Sequence, residues 1–172
     1  MRGRKIPVST LIPASEWLYD YYGKMGYATV FDYTLEHYTI LDKPVADHFR
    51  VEAIREVGLL TDDLFNYFQS MMRLRPCCVQ HEREDFEVIV ESLRMDGGAL
   101  IVVYSDKNIV GMAFAEPRGN HALVLDGMYD SEDVKRVALW GVMKYLDAAE
   151  IYCRVLPAGK ADEHRGMARV LD

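Results

Sequence analysis

The chain has 172 residues, half of them hydrophobic and 27% charged, which is enough for one ordinary domain or for one domain plus part of another. Its 27 acidic and 20 basic residues give a formal charge of -7; this argues against nucleic acid as a partner, because phosphate-backbone binding depends on a basic surface that releases counterions, and a cationic amine suits the charge better. No apolar run approaches the ~18 residues that span a bilayer, and the opening MRGRKIPVST lacks the apolar stretch of a signal peptide, so no membrane partner and a cytoplasmic location are expected.

In chain order, a strand is expected from about Val8 to Ile12, ended by Pro13, and then a helix from about Ser15 to Met25. Ser15 stands where an N-cap belongs, and Gly26 where a left-handed residue would close the helix. The run YATVFDYTLEHYTI after Gly26 alternates β-branched and aromatic residues with polar ones, the pattern of a long strand. The moderately polar stretch from Lys43 to Leu60 reads as a helical connector. Helices follow at about Asp62 to Met72 and Glu82 to Met95, the second stopped by Gly97 and Gly98.

ALIVVYS and IVGMAFAEP, separated by Asp106, Lys107 and Asn108, form an apolar hairpin, and HALVLDG adds a third antiparallel strand. After Gly127 a helix is expected with Ser131 as N-cap and Val134, Val137, Ala138, Val142 and Leu146 on one face. A last strand, about Ile151 to Leu156, ends at Pro157 and Ala158, so that strand, helix and strand make a parallel crossover. VSTLIPA and YCRVLPA share one shape a domain's length apart.

Three cysteines, Cys77, Cys78 and Cys153, have no metal-ligand spacing, so neither a disulfide framework nor a metal site is expected. His81 among Glu82, Glu84 and Asp85 reads as a solvated helix start in preference to a metal site, and Glu163-His164 beside Arg165 as a surface loop in preference to a site wall.

The segment LIPASEWLYDYYGKMGYATVF resembles the final motif of the GNAT N-acetyltransferases, with Ser15, Tyr22, Lys24, Gly26 and Tyr27 at the motif's places. The resemblance implies an α/β fold with a mixed, mostly antiparallel sheet and helices on both faces. It implies acetyl-CoA as co-substrate, an amine as acceptor, Tyr22 as the catalytic acid that protonates the departing thiolate, and Ser15 as a cofactor-binding residue along the pantetheine arm. A phenol suits that acid role, because its hydroxyl donates at neutral pH.

FNYFQSMMRLRPCCVQHEREDFEVI is similar to the second domain of tandem-GNAT proteins like the enhanced-intracellular-survival enzymes, and HRGMARVLD to their junction with a third domain. This implies that residues 1–42 close a first GNAT domain, 43–61 connect, and 62–172 form a second, degenerate one. GNAT proteins bind pyrophosphate on a glycine-rich loop that opens a helix, whereas the equivalent stretch here, GMYDSED, carries Asp130, Glu132 and Asp133. Glu36 and His37 are candidates for the base, although alternation on a half-exposed strand explains them equally. The competing reading is a non-catalytic GNAT-fold module that pairs through open sheet edges and forms a homo-oligomer.

Overall fold

The computed structural model describes residues 7–39, 48–75, 78–157, 161 and 163–171. Cys77, Ala158 and the start of the expected connector, residues 43–47, lie outside them. Packing divides the chain into two compact units, Met1–Leu35 with Val155–Asp172, and Glu36–Arg154.

The first unit contains β1 (Val8–Leu11), α1 (Trp17–Gly23), the first part of β2 (Ala28–Thr39) and the last strand of the chain, Glu163–Val170. That last strand lies between the other two and is antiparallel to both, with Val8 opposite Val170 and Ala28 opposite Ala168. Residues 163–170 are therefore a strand, and Glu163-His164 beside Arg165 is not the surface loop expected. Their ladder with β1 and β2 satisfies backbone groups that the composition, rich in charge and containing a glycine, does not advertise.

Helix α1 begins later than expected. The residue preceding it is Glu16, already helical and with no side-chain cap, and Leu18 N–H donates to the backbone oxygen of Ser15. Ser15 is thus part of the entering turn and does not cap the helix with its hydroxyl. The exit is as expected: Gly26 has φ +83°, its N–H donates to Gly23 O, and Tyr27 N–H donates to Tyr22 O at 3.2 Å. Those paired bonds make a Schellman closure, which needs the left-handed residue at its centre.

The second unit contains β3 (Phe49–Ile54), α2 (Asp62–Leu74), α3 (Arg83–Met95), β4 (Ala99–Ser105), β5 (Asn108–Arg118), β6 (His121–Tyr129), α4 (Glu132–Leu146) and β7 (Glu150–Val155). With those elements named, the final strand of the chain is β8. The order within this unit is β7-β6-β5-β4-β3, antiparallel except for the β6–β7 pair. The segment expected as a helical connector instead forms β3 and a 3-10 turn at Val57–Leu59. FRVEAI pairs residue for residue with β4, and that ladder outweighs local propensity.

Alternation along β4 and β5 sends side chains to two faces. Leu100, Val102, Met112 and Phe114 join Leu64, Phe68, Phe86, Val90 and Leu93 of α2 and α3 in one buried core. On the opposite face α4 packs closely: a Cβ on Gly141 would come within 2.6 Å of Val51, and one on Gly111 within 2.5 Å of Val134. Only glycine permits that approach. Helices on both faces of a mostly antiparallel sheet are as the sequence predicted, as is the Ser131 cap; the hairpin turn expected over Asp106, Lys107 and Asn108 is one residue shorter, since Asn108 already pairs with Ser105.

Candidate functional site

In the first unit, α1 presents a row of aromatic rings. Trp17 meets Tyr21 at 6.2 Å between centroids, Tyr21 meets Tyr22 at 5.3 Å, and Tyr22 meets Tyr27 at 5.9 Å, each pair edge to face. Tyr22 is half-buried. The neighbouring hydroxyls are engaged: Tyr27 Oη lies 2.9 Å from Ser9 Oγ, and Tyr19 donates to His164 O at 3.0 Å. Among the described residues no hydrogen bond engages the Tyr22 hydroxyl. Ser15, the expected cofactor-binding residue, is exposed at the entrance of the helix.

Across the β2–β8 pair, Asp32 stands opposite His164, and His164 Nδ1 lies 2.9 Å from Asp32 Oδ1. The ring of Tyr19 lies 6.1 Å from the imidazole. Burial raises the pKa of the Tyr19 phenol, with Glu16, Tyr33, Asp32 and Glu163 adding to the shift, so this corner of the unit is rich in carboxylate. Residues Val8, Gly26, Ala28, Val30, Ala168, Arg169 and Val170 line a shallow, open concavity in the same unit.

In the second unit, β6 and β7 pair only from His121 with Glu150 to Val124 with Cys153, while β6 runs on to Tyr129. Crevices at the carboxyl ends of parallel strands are where α/β folds often hold ligands. Tyr129 is half-buried, and desolvation raises its pKa strongly, with Cys153, Asp126 and Tyr38 contributing. Burial pushes the Cys153 thiol up to about 12.

The end of β2 contributes Glu36, which accepts hydrogen bonds from Lys135 Nζ and from the Tyr38 hydroxyl, both at 2.7 Å. Burial would raise the Glu36 carboxyl, but those donors hold it below its ordinary value. Burial likewise opposes the Lys135 charge, and the Glu36 and Tyr38 hydrogen bonds more than reverse the effect. Of the two candidate bases, Glu36 is therefore committed to an ion pair. His37 stacks on Tyr152 at 4.5 Å and lies 3.2 Å from Glu150.

The GMYDSED segment, which stands at the place of a pyrophosphate loop, is a strand over its first half. Strand β6 includes Gly127 to Tyr129, and a Cβ on Gly127 would strike the Tyr129 hydroxyl at 2.1 Å. Arg75 clamps this end of the strand, donating at 2.8 Å to each Asp126 oxygen and at 2.7 Å to Gly127 O, and Asp126 in turn accepts from Gly127 N. Tyr67 donates to Asp130 at 2.9 Å, and desolvation followed by that hydrogen bond raises its pKa. With Glu132 and Asp133 in the first turn of α4, a pyrophosphate would meet carboxylates where it needs free N–H donors. The residues present do not fit it.

Neither Arg75–Asp126 nor Lys135–Glu36 was legible in the sequence, because the partners lie 51 and 99 residues apart. Among the described residues there is no group of three or more His, Cys, Asp or Glu side chains that would hold a metal ion. Nor is there a helix long and apolar enough to cross a membrane.

Neither the protein-family models nor the curated proteins give a match to this sequence. Solved structures do. A conserved protein of Enterococcus faecalis V583, described as a probable N-acyltransferase, matches with a TM-score of 0.67 at 13% identity, over 98% of this chain and 46% of that one. A GCN5-related N-acetyltransferase from Kribbella flavida matches with a TM-score of 0.66 at 17% identity, over 99% and 45%. Eis1 from Mycobacterium abscessus matches with a TM-score of 0.56 at 11% identity, over 98% and 48%. The chain thus spans just under half the length of these structures, and its fold is that of the GCN5-related N-acetyltransferases, Eis-like proteins included.

Proposed function

We propose that this chain is part of a GNAT-type N-acetyltransferase, in which an amine attacks the thioester of acetyl-CoA and Tyr22 protonates the departing sulfur. On this reading residues 1–42 close a first GNAT domain and carry the chemistry, while residues 62–172 form a degenerate second one. The observation that carries it is the Tyr22 helix: its glycine closure matches the family motif, and the Tyr22 phenol is half-buried with its hydroxyl unspent among the described residues. The aromatic row beside it offers ring faces to a cationic amine. Ser15 is the candidate contact for the pantetheine arm.

Calorimetric titration with acetyl-CoA tests this. With no pyrophosphate loop in this chain, weak binding, reduced by Ser15→Ala and unaffected by Asp130→Asn, is expected; no heat at millimolar concentration would remove the enzyme reading for this polypeptide, and micromolar binding would show that the Gly127 segment does hold the pyrophosphate. A second reading, a non-catalytic module that oligomerises, draws on Val8, Val30 and Val170, which are 45%, 52% and 73% exposed along one sheet. Sedimentation analysis showing a dimer without acetyl-CoA binding would favour it.

A further inference from the structure

The acyl-transfer reading requires a group to take the proton of the attacking amine, and Glu36 is engaged by Lys135 and Tyr38. His164 and Asp32 have the geometry such a group needs. They are cross-strand partners on β8 and β2, with Nδ1 and Oδ1 2.9 Å apart. A carboxylate only accepts hydrogen bonds, so Asp32 places the imidazole proton on Nδ1 and leaves Nε2 as an acceptor.

Tyr19 stands beside the dyad: it donates its hydroxyl to the backbone oxygen of His164, and its ring centre lies 6.1 Å from the imidazole. Tyr19 and Tyr22 are three residues apart on α1 and are therefore neighbours on its surface. The base and the acid thus lie in a single unit, His164 beside Tyr19 and Tyr22 one turn further along α1. His164 is 59% exposed and Asp32 33%, so substrate can reach Nε2. Glu16, Asp32 and Glu163 surround Tyr19, a setting that draws in cations.

We propose that His164, held in one tautomer by Asp32, is the general base of this site and acts on a cationic amine; this rests on the reading of Tyr22 as the acid. The reacting ammonium group first gives one proton to water; the neutral amine nitrogen then bonds to the thioester carbonyl carbon and the C–S bond breaks. The proton of the amine goes to His164 Nε2, and the Tyr22 hydroxyl gives its proton to the sulfur. Water then returns the proton from the imidazolium to the phenolate, so the products are an amide and a thiol. His164 and Tyr22 are the catalytic residues, and Asp32 is a positioning residue.

The test uses the full chain with acetyl-CoA and, in parallel, the phosphate-free thioester S-acetyl-N-acetylcysteamine, with spermidine and butylamine as acceptors. His164→Gln should lower kcat/KM by about 10²–10⁴-fold with little change in KM, leaving the circular dichroism spectrum and melting temperature intact. Long-range ¹H–¹⁵N spectra should show the Nδ1–H tautomer in the wild type and the Nε2–H tautomer in Asp32→Asn, whose amide would donate to Nδ1. Loss of activity in Tyr22→Phe with full activity in His164→Gln would overturn the base and keep the acyl-transfer reading. An Nε2–H tautomer in the wild type would overturn the dyad whatever the rates. No transfer by the wild type from either thioester would overturn both.

Discussion

Replacing Phe86 with alanine tests whether the second unit is held by one packed core. Phe86 is fully buried, and its ring centre lies 4.8 Å from that of Phe68, 5.9 Å from Phe65 and 6.2 Å from Phe114. With Val90 and Leu93 it makes the stripe that docks α3 onto β4 and β5. Truncation removes the ring's transfer free energy and leaves a cavity whose walls are other rings on three sides, so relaxation is limited. The expected loss is about 3–5 kcal/mol, which for a chain of this size lowers the melting temperature by roughly 6–20 °C. Urea unfolding at 25 °C followed by circular dichroism measures it, with Phe86→Leu, which retains most of the volume, as a control expected to lose under ~1.5 kcal/mol. A loss below about 1 kcal/mol for Phe86→Ala would refute the reasoning, because no core residue so enclosed can be removed that cheaply.

Three further outcomes are expected. Arg75→Ala leaves Asp126 and Gly127 O without their main donor; since the pair is partly exposed, the cost should be about 1–3 kcal/mol in the urea midpoint, short of the value for a fully buried pair. Glu36 has its carboxyl held below the ordinary value, so its contribution is present above pH 4.5 and is lost as pH falls through the folded value; Lys135→Met should flatten the acid side of a stability–pH curve, and an unchanged curve would show that the Lys135 bond is not its source. Cys153, buried and with its thiol pushed up to about 12, should resist iodoacetamide at pH 8 in the folded protein and react on unfolding. Mass spectrometry finding early alkylation of Cys153 would contradict its burial.

What the sequence revealed and what it hid divide by range. The Gly26 and Gly97 stops, the Ser131 cap, the Asp106 turn and the β6–α4–β7 crossover are set by residues within a few positions of one another, and all were legible. Strand β3 was not, because Arg50 and Glu52 give an edge strand the polarity of a solvated helix, and only its pairing with β4 decides the matter. Strand β8 was missed for a related reason: its partners β1 and β2 lie at the other end of the sequence. His164–Asp32, separated by 132 residues, follows from that same pairing, so the missed strand hid the dyad as well.

The two units differ in how their polar groups are spent. In the second, Glu36 is bonded to Lys135 and Tyr38, Arg75 to Asp126, and Tyr67 to Asp130. Such mutually satisfied networks stiffen a fold but leave little capacity for a substrate. In the first, the Tyr22 hydroxyl and His164 Nε2 have no such partner among the described residues, and an acid and a base must retain that freedom to exchange protons with a substrate. Substitutions should therefore sort by unit: Tyr22→Phe and His164→Gln should lower rate and spare stability, whereas Arg75→Ala and Lys135→Met should lower stability and spare rate. If Lys135→Met abolished transfer from the phosphate-free thioester while the melting temperature held, the polar groups of the second unit would be the working ones, and the assignment of chemistry to the Tyr22 helix would be reversed.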